Sequence, residues 1–256
     1  MTAPAPVIVI GAASGIGLAT AQRLHAAAET VVLADVDGAA AAQRAAELGE
    51  RATAVAVDVT DEQSVSALFD TVVAEHGRPR GVVNSAGVST AGAIADMSLE
   101  QWNTTISVCQ TGAFLVLKYA SRHVTDGGSI VTLASLNGRQ PATGMAAYCT
   151  AKAGVLMLTQ VAAMELGDRG VRVNAISPGL VDTPLVAPIA MIPGMREEYV
   201  ENTPLGRSGQ PDEIAAMAQF LLSDDASWIT GSAFDVNGGA HTRRYPDLLK
   251  RFAALD

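Results

Sequence analysis

Residues 7–35 read VIVIGAASGIGLATAQRLHAAAETVVLAD, and this stretch decides the fold. The apolar run Val7 to Ile10 has the length of a buried strand. Gly11, Ala12, Ala13, Ser14, Gly15, Ile16 and Gly17 then form a tight turn, and a helix-compatible stretch follows to about Ala28. Glycines let a backbone approach a pyrophosphate, and a helix N-terminus offers it unpaired N–H groups and a positive dipole end. A glycine turn alone is only a turn. Here the second strand, Val31 to Ala34, ends in Asp35, where a dinucleotide-binding fold places its ribose-reading acid. A carboxylate there accepts hydrogen bonds from ribose hydroxyls and repels a 2′-phosphate. No arginine directly follows Asp35 and no basic residue lies between Ala12 and Ile16, so the sequence favours NAD over NADP.

Working outward, strand and helix signals alternate. Strands are expected near Thr53 to Val57, Gly81 to Asn84, Gly128 to Ala134 and Val171 to Ile176. Helices are expected over Asp61 to His76, Ser98 to His123 and about Met145 to Asp168. Short apolar runs between helices imply strands buried on both faces. The expected fold is therefore α/β, a Rossmann-like, doubly wound parallel sheet with helices on both faces. In such a sheet, functional residues gather beyond the carboxyl ends of the strands. Asn84 and Ser135 fall there, and Pro178 follows a strand in the same way.

Ser135, Tyr148 and Lys152 are the chemical centre of the reading. The four-residue interval puts a phenol and an ammonium on one helix face, about one turn apart, where the ammonium favours the phenolate. Alone, the pair is an ordinary helical neighbour. Beside the glycine turn, it describes a nucleotide pocket with an acid able to exchange a proton with a carbonyl oxygen.

These motifs resemble the short-chain dehydrogenases/reductases of the single-domain kind, from about Val7 to Gly239. The family's glycine pattern appears as Gly11, Gly15 and Gly17, with Ile10 where a threonine is usual. Its adenine-side Asp-Val appears as Asp58 and Val59, and its Asn-Asn-Ala-Gly as Asn84, Ser85, Ala86 and Gly87. Its catalytic serine and Tyr-x-x-x-Lys match Ser135, Tyr148 and Lys152. Its nicotinamide-side loop matches Pro178, Gly179 and Thr183, with Val181 placed against the carboxamide. One departure stands out: the fourth catalytic member, an asparagine, is Cys109, with Gln110 beside it as a possible substitute through a register change.

The resemblance implies hydride exchange between nicotinamide C4 and a secondary alcohol or ketone. Ser135 would hold the carbonyl oxygen, Tyr148 would transfer the proton, and Lys152 would support Tyr148 and bind the nicotinamide ribose. It also implies a homotetramer; Phe114, Leu117 and Tyr119 are apolar positions compatible with such pairing and equally with packing on their own sheet. The alternatives are an NADPH-dependent 3-oxoacyl thioester reductase, disfavoured by Asp35 and the acidic balance, and a non-catalytic NAD-binding scaffold.

The chain has 256 residues, 49% of them hydrophobic, and a formal net charge of −9. That length accommodates one large domain, residues 1–256, with no linker or repeat dividing it. The negative balance argues against nucleic acid or anionic membrane as partner; a small-molecule alcohol or ketone is what the resemblance implies. With two cysteines, no signal peptide and no long apolar span, a cytoplasmic setting is the default expectation. The histidines at 25, 76, 123 and 241 stand singly, so no metal site is expected.

From about 184 to 210, Pro184, Pro188, Pro193 and Pro204 interrupt a stretch carrying Leu185, Val186, Ile189, Met191, Ile192 and Met195. It reads as a mobile lid over an apolar substrate. Asn137, Gln140 and Thr143 are further candidate substrate contacts. The extension at about 240–256 is expected either to fray or to form a short amphipathic element that narrows a substrate entrance or docks on a neighbouring subunit.

Overall fold

A computed structural model describes residues 5–252. Among them are seven strands, β1 (Val7–Ile10), β2 (Val31–Asp35), β3 (Ala52–Ala56), β4 (Gly81–Asn84), β5 (Ser129–Leu133), β6 (Arg172–Pro178) and β7 (Ala233–Val236). They form a single parallel sheet in the order β3-β2-β1-β4-β5-β6-β7. The order reverses between β1 and β4, where parallel sheets open a crevice at their carboxyl edge.

The helices that matter most for the sheet are α1 (Gly15–Ala26), α2 (Gly38–Leu48), α3 (Glu62–His76), α4 (Leu99–Ile106), α5 (Gly112–His123) and α6 (Ala146–Leu166). Beyond β6 come α7 (Ala187–Ala190), α8 (Met195–Glu201), α9 (Pro211–Leu222) and α10 (Leu248–Phe252). Strand alternation divides the core. Ile8 and Ile10 face Phe69 of α3 and Leu115 of α5, whereas Val7 and Val9 face Leu24 of α1 and Ile214 of α9. Each such side chain contributes about 1.5–3 kcal/mol on full burial. Together the two layers hold the sheet edge, and with it the site, in a fixed place.

The expected strands and helices agree with the structure to within a residue or two at most ends. Helix α2, helix α9 and strand β7 carried no explicit assignment in the sequence. One expectation is corrected: Ser98 to His123 is not one regular helix. A five-residue π turn, Ser107–Thr111, separates α4 from α5. It adds a residue to one turn without disturbing the apolar pattern, so periodicity does not reveal it. Of the three apolar positions left open between an interface and the sheet, Leu117 is buried in the core with α3, Phe114 is 48% exposed and Tyr119 stacks against Phe69. No helix among the described residues is long and apolar enough to cross a membrane.

Candidate active site

The glycine turn passes directly beneath the end of β4. A Cβ on Gly17 would lie 2.0 Å from the Gly11 carbonyl oxygen and 2.6 Å from Ser85 Oγ, and Gly11 itself has φ +76°. Only glycine permits this contact. Ser85 Oγ donates to the Gly11 carbonyl at 3.3 Å, so the serine that replaces the second asparagine still ties the two loops together. Asn84 Oδ1 accepts from the Ala86 N–H at 3.2 Å and shapes the turn to Gly87.

The N-terminus of α1 begins at Ser14, whose side chain makes no capping bond, whereas Asp37, Asp61 and Ser98 cap α2, α3 and α4. The first N–H groups of α1 are left to face the cleft lined by Gly11, Ser14, Ile16, Asp35, Val59 and Ala86. Asp35 accepts from Ala13 N–H at 2.9 Å and from Asp37 N–H at 3.0 Å, which fixes its carboxylate at the rim. No lysine or arginine is among the described residues lining this cleft. Val57 and Val59 line it, while Asp58 turns to Thr60, accepting from both its N–H and its hydroxyl.

Deeper in, a second compartment is bounded by Ser135, Tyr148, Lys152, Gly179, Val181 and Thr183. Lys152 is buried, and its ammonium donates to the Leu133 carbonyl at 2.7 Å while lying 5.6 Å from the centroid of the Tyr148 ring. Ser135, just beyond β5, accepts from the Asn137 N–H at 3.2 Å. Gly15 packs against Thr183, since a Cβ there would meet Thr183 Cγ2 at 3.3 Å, and this contact closes the loop after β6 over the glycine turn.

Cys109 sits in the π turn, buried. Its thiol donates to the Val88 carbonyl at 3.1 Å and accepts from the Val88 N–H at 3.4 Å. A Cβ on Gly87 would lie 3.7 Å from Lys152 Nζ and 3.8 Å from Cys109 Sγ, so only this glycine's breadth separates thiol from ammonium. Gln110 does not occupy that place: its carboxamide packs over Gly154 of α6. Cys109 and Cys149 are both free thiols, and burial pushes the Cys149 thiol up.

Ser135 and Tyr148 also line a third space, an apolar chamber of about 240 Å³. Asn137 and Gln140 border it; Thr143 does not, being exposed and donating to Asp247 at 2.8 Å. The 184–210 segment supplies Leu185, Val186, Pro188 and Ile192 to its wall, ordered as a short 3-10 turn followed by α7 and α8. The extension supplies Arg244, Tyr245, Pro246 and Leu248; residues 253–256 lie outside the described part. Tyr199 of α8 and Tyr245 meet edge to face, with centroids 5.4 Å apart and hydroxyls 2.8 Å apart. Burial pushes the Tyr199 phenol up to about 12 and Tyr245 well above its usual value. The sequence reading missed Tyr199, Asn202 and the individual roles of residues 244–248; the aromatic and apolar content of the extension was the signal available. No group of His, Cys, Asp and Glu among the described residues has the makings of a metal centre.

The family model described as enoyl-(acyl carrier protein) reductase matches residues 11–241. The chain belongs to the short-chain dehydrogenase/reductase family. The cis-4-hydroxycyclohexanecarboxylate dehydrogenase of Sinomonas cyclohexanicum is 40% identical to it over 237 residues, 91% of this chain and 94% of that protein. The meso-2,3-butanediol dehydrogenase of Serratia marcescens is 38% identical over 236 residues, 91% of this chain and 93% of that protein. A solved short-chain type dehydrogenase/reductase from Mycobacterium ulcerans superposes with a TM-score of 0.92 at 37% identity, covering 99% of this chain and 94% of that one. This short-chain dehydrogenase/reductase is accordingly an NAD(P)-dependent oxidoreductase acting on CH–OH groups.

Proposed function

We propose that the enzyme interconverts a secondary alcohol and its ketone with NAD, on a small to medium substrate with an apolar body. The observation that carries this reading is that Ser135 and Tyr148 line both the inner compartment and the apolar chamber. A reacting carbon held by these two residues faces a cofactor on one side and a hydrocarbon wall on the other.

The residues present fit a dinucleotide. Gly11, Gly15 and Gly17 make the backbone cradle, the first turn of α1 receives a pyrophosphate, and Asp35 receives ribose hydroxyls. Ala86, Gly87 and Val59 border the adenosine and ribose side, with Asn84 shaping the turn to Gly87 and Asp58, held by Thr60, supporting Val59 from behind. Lys152, Pro178, Gly179, Val181 and Thr183 border the nicotinamide side. Asp35 and the absence of a cation among the described cleft residues support NAD over NADP. When bound, NAD supplies a hydride acceptor for the alcohol, and NADH a donor for the ketone.

The rest is done by the protein. Ser135 Oγ donates to the substrate oxygen and holds it beside Tyr148. The Tyr148 phenol takes the hydroxyl proton in oxidation and returns it in reduction. The Lys152 ammonium, pinned by the Leu133 carbonyl, stabilises negative charge on the phenol oxygen as the proton moves. Cys109 holds Val88, and with it the turn beside Lys152, in the place a family asparagine takes. Leu185, Val186 and Ile192 keep water from the reacting carbon.

Exposed Phe114 on α5 and Met157, Val161 and Met164 on α6 support a homotetramer paired through these helices. A cytoplasmic setting follows from the reading of a reduced, free-thiol NAD enzyme.

The test is a titration with NAD(H) and NADP(H), followed by a secondary-alcohol panel, on wild type and Tyr148→Phe. Selective NAD(H) binding and turnover that falls at least about a thousandfold in Tyr148→Phe, with NADH binding retained, are expected. NADP(H) preference would overturn the cofactor assignment. NAD binding without turnover on any alcohol or ketone would favour a scaffold.

A further inference from the structure

We propose that the apolar chamber selects substrates bearing a carboxylate distal to the reacting carbon, and that Arg244 receives that carboxylate. The inference rests on the alcohol–ketone reading above and adds the class of substrate.

Arg244 is the one charged side chain among the described residues lining the chamber; the others are apolar or neutral polar. It borders the chamber but not the inner compartment where Ser135, Tyr148 and Lys152 meet. A group bound by Arg244 therefore lies away from the reacting oxygen. The backbone that carries it is well held: Tyr245 bonds Tyr199, and Pro246 and Leu248 are buried. Among the described residues the protein engages the guanidinium at one point, an ion pair with the buried Glu198 carboxylate. This contact with Glu198 Oε1 is long, 3.5 Å, and the arginine side chain is 73% exposed. Glu198 does not line the chamber. A guanidinium has five N–H donors in a rigid fork that matches a carboxylate, so one long contact leaves a bidentate face for a ligand.

Charge decides between this and an incidental position. The chain carries −9 overall, a field that repels an anionic substrate until a local cation offsets it. For a wholly neutral substrate, the charge of a largely exposed arginine bordering the chamber contributes nothing to recognition. A carboxylate partner turns that charge into selectivity. The bond made is non-covalent and leaves the redox chemistry at the alcohol carbon unchanged.

The test compares a hydroxycyclohexane carboxylate with its carboxamide, which keeps the ring and alcohol and removes the charge, in wild type, Arg244→Lys and Arg244→Gln. The readout is the carboxylate-to-carboxamide ratio of kcat/KM. The expected ratio is at least about tenfold in wild type, reduced in Arg244→Lys and close to one in Arg244→Gln. In parallel, calorimetry measures cyclohexanecarboxylate and cyclohexanecarboxamide binding to each protein with NADH, which requires no turnover, and circular dichroism reports folding. Should Arg244→Gln not fold, the binding ratio in Arg244→Lys against wild type decides. Equal binding of acid and amide by wild type, or an unchanged ratio in folded Arg244→Gln, overturns the role of Arg244. Arg244-dependent acid binding with no alcohol turned over would instead sink the oxidoreductase reading while keeping the carboxylate site.

Discussion

Cys109 shows what a single residue can replace. An asparagine carries both a donor and an acceptor, and a thiol is weaker at each, so the sequence alone casts doubt on the position. The fold resolves it through geometry, because the thiol reaches both polar groups of one residue, Val88 N–H and C=O. Cys109→Ala is expected to strand these part-buried groups, lowering stability by about 1–2 kcal/mol in urea denaturation and reducing kcat more than it raises KM. Cys109→Ser should keep much of both values; equal loss in the two variants would show that packing, not hydrogen bonding, matters there. Ser135, Tyr148, Lys152 and Asp35 could be singled out from residue type, spacing and family pattern, and the fold brings the first three to one compartment with Asp35 at the rim of the adjoining cleft. Tyr199 and Arg244 were not, since neither belongs to a spaced pattern and each gains meaning only from residues distant in sequence.

At the level of elements, the glycine turn with α1, the strands and the long helices could be read from the chain because their apolar periods are local. The π turn between α4 and α5 could not, as a single inserted residue is invisible to a periodic pattern. Nor could the pairing of α8 with the segment after β7, which depends on two tyrosine rings meeting across 46 residues. That pairing has a consequence for pH. Tyr199 titrates at about 12 in the folded protein, above the ordinary value near ~10 of an unfolded tyrosine, and Tyr245 is raised as well. The folded state thus holds protons that the unfolded state has released. Its stabilisation is complete below the unfolded value and is lost as pH rises through the folded one. Melting temperature should fall as pH rises from about 10 toward about 12, and the fall should be shallower in Tyr199→Phe. An identical slope in that variant would remove this pair as its source.

For the whole molecule, the doubly wound architecture followed from alternation alone, whereas assembly does not follow from any motif. Leu117, which the sequence left open between an interface and the sheet, supports the core, and the large apolar residues exposed on α5 and α6 are Phe114, Met157, Val161 and Met164. Replacing both Met157 and Met164 with glutamate adds charge to that face and is expected to lower the oligomer mass in light scattering without changing circular dichroism. An unchanged mass would place the subunit contact elsewhere. The high negative charge works in the same direction, raising repulsion between copies, so added salt should strengthen assembly.

The origin of the chamber wall carries a last consequence. The cofactor cleft is lined by the glycine turn and the ends of the first strands, while much of the opposite wall comes from residues between 185 and 203, among them Tyr199 of α8, and from residues 244–248, the two joined by the Tyr199–Tyr245 contact. Inheritance can therefore treat the two separately. A handful of changes in α8 and after β7 would pass a new diet to a descendant enzyme whose redox machinery stayed as it was.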